Sequence, residues 1–185
     1  MLLDAKKSSL LIIDIQERLL PVVAEKERVL AQAKILLQAA TELGIPVTVS
    51  EQYPKGLGHT VPELADKLTS NQAKVFEKTS FSCWRDVAFR RHFISLHEAG
   101  RPLVIVCGLE AHICAFQTCS DMVHAGFGVF AVADAMSSRA PASSELAFQR
   151  MRHDGVEVVN TEMAVFELLA QAGTPAFMNL VTLIK

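Results

Sequence analysis

The chain has no Cys-x-x-Cys pair, only one tryptophan and one tyrosine, and no apolar run of membrane-spanning length. The missing long run leaves nothing for a bilayer to hold, so no membrane partner is expected. Four cysteines (Cys83, Cys107, Cys114 and Cys119), none in Cys-x-x-Cys spacing, do not make a disulfide framework in a chain of 185 residues, and point to a reducing, cytoplasmic setting. No sign of charge dominates: the net charge is -2 and lysine and arginine are scattered, which removes the electrostatic footprint of a nucleic-acid binder. The 9 glycines and 7 prolines are nowhere concentrated, so no linker is marked, and neither repeats nor low-complexity tracts occur. A signal peptide is not expected at the start, because the apolar run Leu10 to Ile13 is cut by Asp14.

What is present is a globular composition, 50% hydrophobic and 21% charged, of a length that suits one domain over residues 1–185. Apolar runs of strand length fall at 9–13, 47–50, 74–77, 103–106, 129–133 and 156–159. Helical patterns lie between and after them, near 24–43, 85–99, 113–125, 143–153 and 161–172. Gly44, Gly100, Gly126 and Gly155 stand where helices should end. The strands lack clean alternation, as strands buried on both faces do. The pattern predicts a three-layer α/β/α sandwich around a mainly parallel, about six-stranded, Rossmann-like sheet.

In such sheets ligands gather beyond the carboxyl ends of the strands. Three residues there carry chemistry. Asp14 ends the first apolar run, a costly place for a carboxylate unless it caps a turn or is needed. Lys78 follows the third strand; a snorkelling surface lysine is the ordinary alternative. Cys114 follows the fourth strand and Gly108, where a helix begins and turn N–H groups favour a thiolate. Alone, it would read as a core thiol. Together the three form an acid, an ammonium and a nucleophile from three strand ends, with N–H groups of the turn available for an oxyanion. Cys119 should face elsewhere, and Cys83 is the other thiol expected near the cleft.

Four segments in order, Leu11 to Gln16, Glu77 to Ser82, Gly108 to Cys114 with Gln117-Thr118, and Asp134 to Arg139, resemble the isochorismatase-like cysteine hydrolase family. The resemblance covers nearly the whole chain. It implies a catalytic triad of Asp14, Lys78 and Cys114, a cis peptide between Leu109 and Glu110, and oxyanion donors at the backbone N–H groups of Glu110 and Cys114. It also implies assembly into a homo-oligomer, and the apolar tail 175–184 is either part of such a contact or a last helix packed on its own sheet.

Two departures narrow what the resemblance implies. Metal-binding members carry a histidine in the stretch occupied here by Glu51-Gln52-Tyr53-Pro54, and His59 alone reads as a loop residue, so no metal and no cofactor are expected. Gly56-Leu57-Gly58 is not a dinucleotide loop, since Val61 stands in place of a third glycine. Retention of Cys114 favours acyl chemistry over the vinyl-ether cleavage of isochorismatases proper. The stretch from Ser50 to Leu64 resembles the metal-independent, isochorismatase-domain-containing subgroup. The expected activity is hydrolysis of a C–N bond in a small-molecule amide through a thioester at Cys114. Substrate contacts are expected from Gln16, Tyr53, Phe81, Trp84 and His112. A non-catalytic interaction module of the same fold and an enol-ether hydrolase are the alternatives.

Overall fold

A computed structural model describes residues 1–184. Among them, β1 (Ser8–Ile13), β2 (Val47–Gln52), β3 (Lys74–Lys78), β4 (Leu103–Leu109), β5 (Gly128–Ser137) and β6 (Glu157–Val159) form one sheet in the order β3-β2-β1-β4-β5-β6. Every neighbouring pair is parallel. β1, β2 and β4 are buried at every position, which explains why their sequences lack a clean apolar–polar alternation. Side chains along β1 alternate between two apolar layers. Leu10 and Ile12 meet Val29, Ala33 and Leu36 of α1 (Lys26–Leu43). Leu11 and Ile13 meet Phe89 and Phe93 of α4 (Val87–Glu98) and Met122 of α5 (Phe116–His124). The predicted three-layer sandwich is therefore the observed architecture.

The remaining helices are α2 (Pro54–Leu57), α3 (Pro62–Ser70), α6 (Pro141–His153), α7 (Thr161–Leu169) and α8 (Pro175–Ile184). The short helices α2 and α3 are absent from the sequence reading. In α3 only Leu64 and Leu68 are buried, a stripe too narrow to register as a helical period. The helix expected over 113–125 starts later, at Phe116, because Ala111–Ala115 form a π-helical turn. The four helix-ending glycines do take positive φ. The apolar tail forms α8, but it packs on helices rather than on the sheet, with Leu180 set against Ala39 of α1 and Val165 and Leu169 of α7.

The strand order reverses at the β1–β4 boundary, the place where doubly wound sheets open a crevice. The two strands approach closely there. Gly108 has φ +117°, and a Cβ at that position would lie 2.0 Å from the carbonyl oxygen of Ile13. Backbone cannot yield as a flexible side chain can, so only glycine fits. Gly108→Ala is expected to cost more than about 4 kcal/mol in urea unfolding or to prevent folding. Gly100→Ala, with φ +85° but open space around it, should cost only about 1–2 kcal/mol.

Candidate active site

The site assembles at the ends of three adjacent strands: β2 and β3 end opposite each other, and β1 ends two residues earlier. Ile13 of β1 pairs with Ser50 of β2, and Gln52 of β2 pairs with Lys78 of β3. Asp14, the next residue after β1, adopts φ +51°. Its Oδ1 accepts from Ser50 Oγ at 2.7 Å, and its Oδ2 accepts from Lys78 Nζ at 2.8 Å. Both charged side chains are essentially closed to solvent, at 0% and 1% exposure. Lys78 Nζ also donates to Gln52 Oε1 at 2.7 Å and to the Phe81 carbonyl at 3.2 Å, so all three of its N–H bonds are committed. Gln52 is held in turn by donating to the Thr79 carbonyl at 2.9 Å.

Cys114 lies in the π-helical turn that leaves β4, almost fully buried and close enough to Asp14 to feel its carboxylate. Burial pushes the thiol well above its ordinary value; the Asp14 charge adds to this and Lys78 only partly opposes it. Burial and the neighbouring carboxylate thus both oppose a thiolate here, against what the turn alone would favour. Burial likewise raises Asp14 above the usual carboxylate range, against the pull of Lys78. Burial works against the Lys78 ammonium, but Asp14 and the neighbouring thiols outweigh it, so its pKa rises. The arrangement can pass a proton from sulfur to carboxylate and back beside a fixed positive charge.

The peptide between Leu109 and Glu110 is cis. Among the described residues the Glu110 N–H donates to no protein acceptor. The Glu110 carbonyl accepts from the N–H groups of Ile113 at 3.0 Å and Ala115 at 3.3 Å, which folds the turn tightly around Cys114.

Among the other residues singled out from sequence, His112 stays with the turn, its Nδ1 2.8 Å from Ser138 Oγ. Tyr53 is exposed and lines a cleft of about 310 Å³ with Lys78, Thr79 and Glu77. Gln16 is fully buried and has no amide group to spare. Its Nε2 donates to the carbonyls of Gln52 (3.0 Å) and Gly58 (2.6 Å), and its Oε1 accepts from the Gln52 N–H at 2.7 Å. It clamps the loop after β2 rather than facing a ligand. Phe81 approaches Lys78 through its carbonyl while its ring is exposed. Trp84 is half-buried and packs edge-on against Phe127, beside the apolar layer under α4 and α5. Cys83 is buried, its N–H donating to Thr118 Oγ1 at 2.9 Å, and burial lifts its thiol to about 11. His59 pairs with Glu51, Nδ1 to Oε2, at 2.9 Å. Ser50 and Gln52 were not singled out from the sequence. Their signal was present, since alternate residues of one strand share a face and these two flank the strand end nearest Asp14 and Lys78.

The chain matches the Isochorismatase domain over residues 8–163. It is 39% identical over 179 residues to isochorismatase domain-containing protein 2 of Danio rerio, across 96% of this chain and 87% of that protein. The solved structure of MAR1 ribonuclease from Caenorhabditis elegans superposes with a TM-score of 0.91 at 32% identity, covering 100% of this chain and 92% of that one. The YcaC gene product of Escherichia coli, described as an octameric hydrolase of unknown specificity, superposes with a TM-score of 0.90 over 99% of this chain and 90% of its own. At 21% identity that likeness shows the shared fold.

Removing one partner of a buried pair strands the other charge. Asp14→Asn is expected to destabilise the protein by about 3–5 kcal/mol in urea unfolding at neutral pH. The double variant Asp14→Asn, Lys78→Met should recover a large part of that loss. Additive losses would show that the pair is not energetically coupled.

Proposed function

The chain belongs to the isochorismatase family, and from that membership we propose that it is a cysteine hydrolase cleaving the C–N bond of a small amide through a thioester on Cys114. The observation that carries this reading is the buried chain of thiol, carboxylate and ammonium formed by Cys114, Asp14 and Lys78. Asp14 takes the thiol proton as sulfur attacks the amide carbon, and the carbonyl electron pair moves onto oxygen. The backbone N–H groups of Glu110 and Cys114 receive that oxyanion. Asp14 then returns the proton to the departing nitrogen, the C–N bond breaks, and the acyl group remains on sulfur. Water, deprotonated by Asp14, attacks the thioester, releases the acid and restores the thiol. Lys78 keeps a negative charge favourable on Asp14 and has no free N–H with which to shuttle protons.

The ribonuclease name of the C. elegans protein belongs to that protein. A net charge of -2 without a basic stripe supports a small molecule as the substrate here. We further propose that the protein works as a homo-oligomer in the cytoplasm, without a cofactor. The exposed apolar side chains of Phe166 on α7 and Met178 and Leu183 on α8 support self-association.

The test is a small-amide panel followed by intact-protein and peptide mass spectrometry, with release of acid and amine measured in parallel. Acyl adducts are expected on Cys114 alone, and Cys114→Ala should abolish turnover. Adducts on Cys83 instead, or turnover surviving in Cys114→Ala, overturn the assignment; the latter would favour enol-ether cleavage. The pH profile provides a second check. The base form of Asp14 is lost as pH falls through its raised value, so kcat/KM should drop on the acid side above the ordinary carboxylate value of 3.8. Loss of the Lys78 charge should begin only above 10.5.

A further inference from the structure

Two side-chain links join the loop after β5 to the turn that carries Cys114. Arg139 donates from its backbone N–H (3.2 Å) and from Nε (3.0 Å) to the same oxygen, Oε2, of Glu110. One residue earlier, Ser138 Oγ meets His112 Nδ1 at 2.8 Å. Ser138 is itself anchored, buried and with its carbonyl accepting from the Ala24 N–H at 3.0 Å. The two residues flanking Ala111 are thus tied to two consecutive residues of another loop.

Glu110 is an unexpected residue for its position. Its N–H is a proposed oxyanion donor, yet its own carboxylate is only 8% exposed and belongs to the same short turn. A poorly solvated negative charge there opposes the negative charge that forms on the substrate oxygen. Arg139 supplies the opposing charge. Its side chain is 62% exposed, but the carboxylate it faces is nearly closed to solvent, so losing Arg139 strands that charge both in the fold and beside the oxyanion.

We infer that Arg139 is a positioning residue: it neutralises the Glu110 carboxylate and fixes the turn so that the Glu110 N–H serves the oxyanion, with the Ser138–His112 link bracing the other side. The inference rests on the Cys114 hydrolase reading and adds a residue to it that touches neither substrate nor thiol.

Two electrophiles separate this role from general disturbance. With 4-nitrophenyl acetate, the S–C bond forms as the carbonyl pair moves to oxygen, and collapse of the adduct expels 4-nitrophenolate. With iodoacetamide, sulfur displaces iodide and no oxyanion forms. Arg139→Gln should slow acylation of Cys114 by the ester at least about tenfold, leave its alkylation by iodoacetamide close to that of the parent, and lower thermal stability through the carboxylate it leaves unpaired. Adding Glu110→Gln removes the unpaired charge and should restore most of the acylation rate; Arg139→Lys should restore part of it. Equal slowing with both reagents, unchanged acylation, or no rescue by Glu110→Gln overturns the inference. Failure of the parent itself to acylate at Cys114 overturns the hydrolase reading instead, and is distinguished by that result.

Discussion

Asp14 and Lys78 carry opposite charges 2.8 Å apart where water does not reach. Withdrawing two ions from water costs several kcal/mol each, so such a pair persists only if its remaining hydrogen-bonding capacity is met. Here it is met by neighbouring strand ends. Ser50 serves the carboxylate, and Gln52 and the Phe81 carbonyl serve the ammonium. That requirement restricts what β1, β2 and β3 can carry at their carboxyl ends. It also bears on the Cys114 thiol, whose pKa is raised by burial and by the negative charge beside it.

Much of this was legible in the sequence. Short apolar runs separated by glycine-ended helices specify a parallel sheet, and the rule about strand ends brings Asp14, Lys78 and Cys114 into view without further information. What escaped the reading shares one physical cause: polar partners chosen by register or by loop packing leave no periodic trace. Ser50 and Gln52 look like ordinary strand residues until the pairings Ile13 with Ser50 and Gln52 with Lys78 are known. Gln16 looked available to a ligand because its three hydrogen bonds go to backbone groups at positions 52 and 58, far along the chain. The packing of Trp84 on Phe127 is hidden for the same reason, since that partner is equally remote.

Four buried thiols in one small protein raise the question of how one is distinguished. Burial alone does not do it, since it lifts Cys83 to about 11 and Cys107 to about 12. Cys107 belongs to the apolar layer under α1, on the opposite face of the sheet from Cys114. Cys83 also feels Lys78 and Asp14, and its N–H is tied to Thr118 Oγ1. Cys114 differs in its place, in the turn that leaves β4, with the Asp14 carboxylate the strongest charge acting on it. That place is what sets it apart as the proposed nucleophile.

The reversal of strand order between β1 and β4 has one more consequence. Asp14, Ser50, Gln52 and Lys78 all come from the first half of the chain, on β1, β2 and β3. Cys114, Glu110 and Arg139 all come from the second, on or after β4. The seam between the halves is therefore also the seam between the buried ion pair and the proposed nucleophile: the chemistry proposed for the site needs both halves of the sheet.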